Sequence, residues 1–111
     1  MKIDIDTALS TARAADNGRH AELLVTDGPL RQTLIGLTSG TVLQEHNSPP
    51  AASIQVLAGA VVVTAGDTEF VFQTGDITAL THERHSVAVS EDAVFLLTTV
   101  TSQPGMGSHG D

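Results

Sequence analysis

Three histidines stand at positions where an imidazole could do chemistry. His46 ends an apolar, alternating stretch at residues 41–46, and His82 and His85 lie three residues apart in one predicted turn. A neutral imidazole is a common metal ligand, and near pH 7 it can also serve as a general base. His46 lies either inside the protein at the rim of a pocket or at the point where a strand simply ends.

A short helix and a series of hairpins must position these side chains. Residues 6–15 predict one helix, with Asp6 as its N-cap and Asn17-Gly18 as its end. After the helix the apolar residues recur with a period of two, which indicates strands. Turn residues separate these strands at intervals of about 8–12 residues, as in sandwiches and small barrels. The predicted strands are 22–26, 30–37, 41–46, 54–57, 61–64, 69–73, 77–80, 86–89 and 94–100.

The composition excludes several classes of protein. The 111 residues suffice for one domain, and the absence of cysteine excludes disulfides and thiolate metal sites. A net charge of −8, from 13 acidic and 5 basic residues, disfavours nucleic acid and anionic membranes. The N-terminus carries Asp4 and Asp6 where a signal peptide needs an apolar run, and no apolar stretch is long enough to span a bilayer. We therefore expect a cytoplasmic protein.

The first of two motifs in residues 40–100 resembles a motif of the cupin superfamily. In that family the motif begins and ends with glycine and carries two histidines and a glutamate between them. Gly40, His46 and Gly59 match this pattern, whereas Ser48 stands at the second histidine and Ala52 at the glutamate.

The second motif resembles the cupin pattern through a glycine and a histidine. Gly75 matches, and His85 stands one residue early for the histidine position. The resemblance, to a small single-domain bacterial cupin, implies an all-β fold. We expect a cupin-type double-stranded β-helix, or jelly-roll barrel, with a short N-terminal helix. Its expected parts are an N-terminal helix and strand extension (1–30), the cupin barrel (31–101) and a flexible tail (102–111).

The resemblance also implies a site inside the barrel. In the family, three histidines and a glutamate from the two motifs bind a divalent metal. His46 and His85 are therefore expected to point inward, and strand alternation adds Gln44 and Ser48 to the face of His46. His82 is the candidate for a third ligand of zinc, nickel, manganese or iron. Because two of the family's ligands are replaced, the metal site is expected to be partial or absent.

Four hypotheses for the function remain open, and no residue is assigned a catalytic role. The first is a cupin that binds a small organic ligand through Gln44, His46, Ser48 and His85. The alternative is a metal-dependent oxygenase, isomerase or lyase that acts on a small organic acid. A metal-free acid–base catalyst and a purely structural or sensory module are the other two. In each case we expect a homodimer to which the N-terminal segment contributes, without nucleic acid or membrane partners.

Overall fold

The computed structural model describes residues 2–46, 51–80 and 85–101, apart from the side chains of Glu45 and His46. These residues form one helix and nine strands, and every strand pairing is antiparallel. The predicted helix and strands are confirmed, with ends that differ by a few residues; the predicted tail at 102–111 lies outside the described residues. The elements are α1 (Ile5–Ala14), β1 (Arg19–Asp27), β2 (Leu30–Leu37), β3 (Val42–His46), β4 (Ala51–Ala58), β5 (Ala60–Ala65), β6 (Thr68–Gln73), β7 (Ile77–Ala79), β8 (His85–Ala88) and β9 (Ala93–Val100).

The strands form two facing sheets that enclose a common interior. One sheet has the order β1-β2-β9-β4-β7, and the other has the order β3-β8-β5-β6. Strands that are neighbours in a sheet are mostly distant in sequence, as in a jelly roll rather than a simple meander. The all-β jelly-roll prediction is confirmed.

Strand alternation divides the side chains of the larger sheet between two cores. On β9, Ala93 and Phe95 belong to the core between the sheets, whereas Val94 packs on the opposite face, under the helix. All three are almost completely buried, with exposed fractions of 1% or less. Because successive side chains of a strand point to opposite faces, one apolar strand can supply both cores.

The helix begins one residue earlier than predicted. Asp4, not Asp6, is the N-cap: its Oδ1 accepts a hydrogen bond from the backbone N–H of Thr7 at 3.0 Å. The Thr7 hydroxyl donates to Oδ2 at 2.8 Å, and together these bonds lower the pKa of Asp4. Asp6 lies instead in the first turn. In the described part of the chain α1 is the only helix, and it is too short to cross a membrane.

Small residues allow α1 to lie directly on the larger sheet. Ala8 and Ala12 are buried, and they face Gly36 on β2. A Cβ atom at Gly36 would lie 2.9 Å from the carbonyl oxygen of Ala8, which is closer than real Cβ contacts. Glycine at this position therefore permits the close approach of the helix to the sheet.

Asp92 joins three parts of the fold. Its Oδ1 accepts from the backbone N–H of Ser39 at 2.9 Å, and its Oδ2 accepts from Nε of Arg13 at 2.7 Å. These two hydrogen bonds, the first above all, hold the pKa of Asp92 below its ordinary value of 3.8. His85 is the first residue of β8, whereas Asp92 comes after the last residue of that strand. The contacts of Asp92 with α1 and with Ser39 are therefore at the other end of β8 from the histidine.

Candidate ligand cavity

His85 is the only polar or charged residue that is buried among those the structure describes, with 5% of its surface exposed. It is the first residue of β8, where the alternation that buries Val87 also buries His85. No buried side-chain nitrogen or oxygen in the described ranges lacks a hydrogen-bond partner, and His85 has an interaction within the chain. The fold thus holds one imidazole inside an apolar interior.

A cavity of about 50 Å³ adjoins this imidazole. Its walls come from both sheets, because inward-facing positions of β3, β4, β8 and β9 contribute to it. Within the described ranges Thr99 is the other polar residue of its wall, and it is the cross-strand partner of Ala52. The lining residues are Leu43, Ala52, Ile54, Leu80, His85, Val87, Phe95, Leu97 and Thr99.

The backbone register brings the two predicted histidine positions together. His46 on β3 is the cross-strand partner of His85 on β8, so the backbone places these two positions on neighbouring strands. The side chain of His46 lies outside the described part, as do Ser48 and His82 entirely. The roles of His46, His82 and Ser48 as ligands therefore stay predictions.

The prediction that Gln44 faces the interior is wrong. The register shifts between Leu43, which pairs with Val87, and His46, so β3 contains one residue more than β8 over this stretch. Such a bulge interrupts the alternation of side chains between the two faces. Leu43 packs against the core and lines the cavity, and Gln44 is exposed.

Of the nine described residues of the cavity wall, only His85 was predicted to bind the ligand. Thr99 continues the inward series that begins with Phe95, so the period of β9 could have revealed it. Ala52 was marked by its match to the glutamate position of the cupin motif. Leu80 carried no signal, because an apolar side chain next to a turn looks the same in a core and in a cavity. Phe95, which is 1% exposed, also forms part of the cavity wall.

The described residues do not form a complete metal site. In the described ranges no three His, Asp or Glu side chains come together, whereas a catalytic metal normally has about three protein ligands. Ala52, which the cupin resemblance aligns with the glutamate ligand, lines the same cavity as His85. The position of the expected carboxylate thus faces the site and holds a methyl group.

Solved structures identify the fold. A conserved protein of unknown function from Streptococcus pyogenes is similar with a TM-score of 0.72 and 21% identity, over 80% of this chain and 79% of that one. A cupin superfamily protein from Desulfitobacterium hafniense is similar with a TM-score of 0.73 and 18% identity, over 79% and 82% of the two chains. The fold is that of a cupin.

Another similar solved structure is equally distant in sequence. KdgF from Halomonas sp. has a TM-score of 0.67 and 18% identity, over 82% of this chain and 87% of that one. No family model matches the sequence. No curated protein matches it either. At these identities the similarity establishes the cupin fold, and the function has to be argued from the site of this chain.

Proposed function

We propose that this cupin-fold protein binds a small, mostly apolar organic molecule inside the barrel, beside His85. The observation that carries the proposal is a buried imidazole in the wall of an otherwise nearly apolar cavity. Small-molecule sites commonly combine apolar walls with a few polar groups that set the orientation of the ligand. The cavity and its histidine have this composition.

The two kinds of lining residue have different tasks in the proposal. The apolar walls contribute about 25 cal/mol for each Å² of apolar ligand surface that leaves water. The imidazole of His85 and the hydroxyl of Thr99 can each exchange a hydrogen bond with the ligand. A ligand with one polar group and an apolar body satisfies both.

A probe that carries no charge tests this proposal directly. Cyclohexanone, titrated into the protein, is expected to shift the ring resonances of one of the five histidines in ¹H–¹³C NMR spectra. His85→Gln identifies that signal by removing it, and it is expected to weaken binding several-fold. His20→Gln is the matched control, because His20 lies on β1 and lines no part of the His85 cavity. If His85 does not respond to cyclohexanone at concentrations up to the millimolar range, the proposal fails.

The metal-dependent enzyme is the second candidate, and the register of His46 opposite His85 favours it. Zinc, nickel, manganese or iron held by His46, His85 and His82 would polarise an oxygen of a small organic acid or activate O₂. Elemental analysis of untagged protein, purified without added metal or chelator, tests it. A stoichiometric metal that disappears in His46→Ala would support the enzyme, and equal metal content in the two proteins would reject this site.

We also propose that the protein is a cytoplasmic homodimer. Exposed apolar side chains on two edge strands support self-association: Val71 on β6 and Ile77 on β7 are 61% and 65% exposed. Sheet edges with such side chains tend to pair with another chain. Light scattering is expected to return twice the mass of the 11.5 kDa chain, and a monomer mass would reject the dimer.

A further inference from the structure

A second apolar cavity lies next to the His85 cavity. It has a volume of about 110 Å³ and is bordered by the edge strands β6 and β7, one from each sheet. Phe70 and Phe72 form one wall, with their ring centroids 6.5 Å apart and their planes at 18°. The lining residues are Val63, Ala65, Phe70, Phe72, Thr78, Ala79 and Leu80. We call the two spaces the histidine compartment and the phenylalanine compartment.

Leu80 borders both compartments. Among the residues that the structure describes, it is the only one that lines both of them, and 7% of its surface is exposed. The neighbouring walls are also continuous: Ala65 of the phenylalanine compartment is the cross-strand partner of His85. The side chain of Leu80 therefore stands between two adjacent apolar spaces.

Neither compartment offers a charged group to a ligand within the described residues. Their polar lining residues are His85, Thr99 and Thr78, and the hydroxyl of Thr78 already donates to the carbonyl oxygen of Ala79 at 3.2 Å. Placing a carboxylate or an ammonium group in such surroundings is costly without a counter-ion. The net charge of −8 adds a general repulsion of anions.

We infer that the ligand is an uncharged, elongated molecule such as an aryl-substituted alcohol or ketone. Its oxygen lies beside His85, its apolar end lies against Phe70 and Phe72, and Leu80 sets the length and bulk that fit between them. This inference rests on the proposed binding function and adds the class of ligand and a residue that determines specificity.

A series of phenyl alcohols tests the inference by calorimetry. The probes are benzyl alcohol, 2-phenylethanol and 3-phenylpropan-1-ol, with phenylacetate and 2-phenylethylamine as charged counterparts. The wild-type protein is expected to bind one of the two longer alcohols best and the charged compounds at least about tenfold more weakly. Leu80→Ala is expected to change the affinity ratio of the longest to the shortest alcohol by about tenfold, because one methylene group in an apolar pocket has an effect of this size.

Phe70→Ala tests the phenylalanine compartment without disturbing the core, because Phe70 is 43% exposed. This variant is expected to bind the longer alcohols about fivefold more weakly and to lose less affinity for benzyl alcohol, since only the longer probes reach the ring of Phe70. Val42→Ala is the matched control: Val42 on β3 is 40% exposed, much like Phe70, and it lines neither compartment. The test therefore remains valid even if Leu80→Ala does not fold.

The outcomes separate this inference from the proposed function. If a probe shifts the His85 resonances but Phe70→Ala and Val42→Ala bind the whole series alike, the two-compartment inference is wrong and the binding function stands. Phenylacetate that binds as tightly as 2-phenylethanol would refute the uncharged class of ligand. If neither cyclohexanone nor any member of the series shifts His85, the binding function itself is wrong.

Discussion

Replacement of Gly59 by alanine should be far more damaging than the same change at Gly66. Both residues have a left-handed backbone, with φ of +75° at Gly59 and +60° at Gly66. Their surroundings differ: a Cβ atom at Gly66 would meet nothing within 4 Å. A Cβ atom at Gly59 would press against the carbonyl oxygen of Asp92 and lie 3.0 Å from the Cα of Ala93, at the start of β9.

The two costs follow from this geometry. Alanine in the left-handed region costs about 1–2 kcal/mol, and the reduced freedom of the unfolded chain offsets about 0.4–1 kcal/mol of that. Gly66→Ala should therefore lower the free energy of unfolding by about 1 kcal/mol. Gly59→Ala must also displace packed backbone, which adds about 1–3 kcal/mol, so its total is about 3 kcal/mol.

Urea denaturation and thermal unfolding, followed by circular dichroism, measure this difference. For a domain of 111 residues a difference of about 2 kcal/mol corresponds to about 8 °C in Tm. Gly66→Ala serves as the control because it carries the same backbone penalty without the close contact. Tm values that agree within about 2 °C would show that the contact with Asp92 and Ala93 is not a constraint on the fold.

Two further predictions concern the carboxylates of Asp4 and Asp92, whose hydrogen bonds stabilise the fold. Asp4→Ala removes the acceptor for the N–H of Thr7 and should lower the midpoint of urea denaturation; if Asp6→Ala lowers it as much, Asp4 is not the cap. The hydrogen bond from Ser39 lowers the pKa of Asp92 below 3.8, so its contribution to stability is complete above pH 3.8 and is lost as the pH falls through the lower folded value. Asp92→Asn should therefore flatten the dependence of Tm on pH in this acidic range, and a curve parallel to that of the wild type would contradict the assignment.

Part of the fold could be predicted because the burial of side chains alternates along strands such as β5 and β8. On β5 the buried positions Val61, Val63 and Ala65 alternate with half-buried ones, which is the pattern that a period of two encodes. Glycines at the turns were equally informative, since the left-handed backbone of Gly59 and Gly75 excludes most other residues. Local patterns of this kind depend only on residues that are near one another in the chain.

The candidate site could be predicted less well because it depends on the register between distant strands. The bulge between Leu43 and His46 reverses the expected orientation of Gln44, and no turn residue in that stretch announces it. The N-cap of α1 was also hard to predict from sequence. Asp4 and Asp6 are the same residue type, and the hydrogen bonds that Thr7 donates identify Asp4 as the cap. Neither the bulge in β3 nor the choice of N-cap follows from residue type, because the same residues can adopt either geometry.

The side chain at the glutamate position of the cupin motif bears on the class of molecule that can bind in the interior. Ala52 and Thr99 are cross-strand partners and line the compartment of His85, so the wall carries a methyl group where the resemblance expects a glutamate. A divalent cation bound there would lack the negative charge that normally offsets its own. An uncharged ligand loses nothing by the same change and gains apolar contact with the methyl group. The replacement that weakens a metal site therefore favours a neutral, mostly apolar molecule in the barrel.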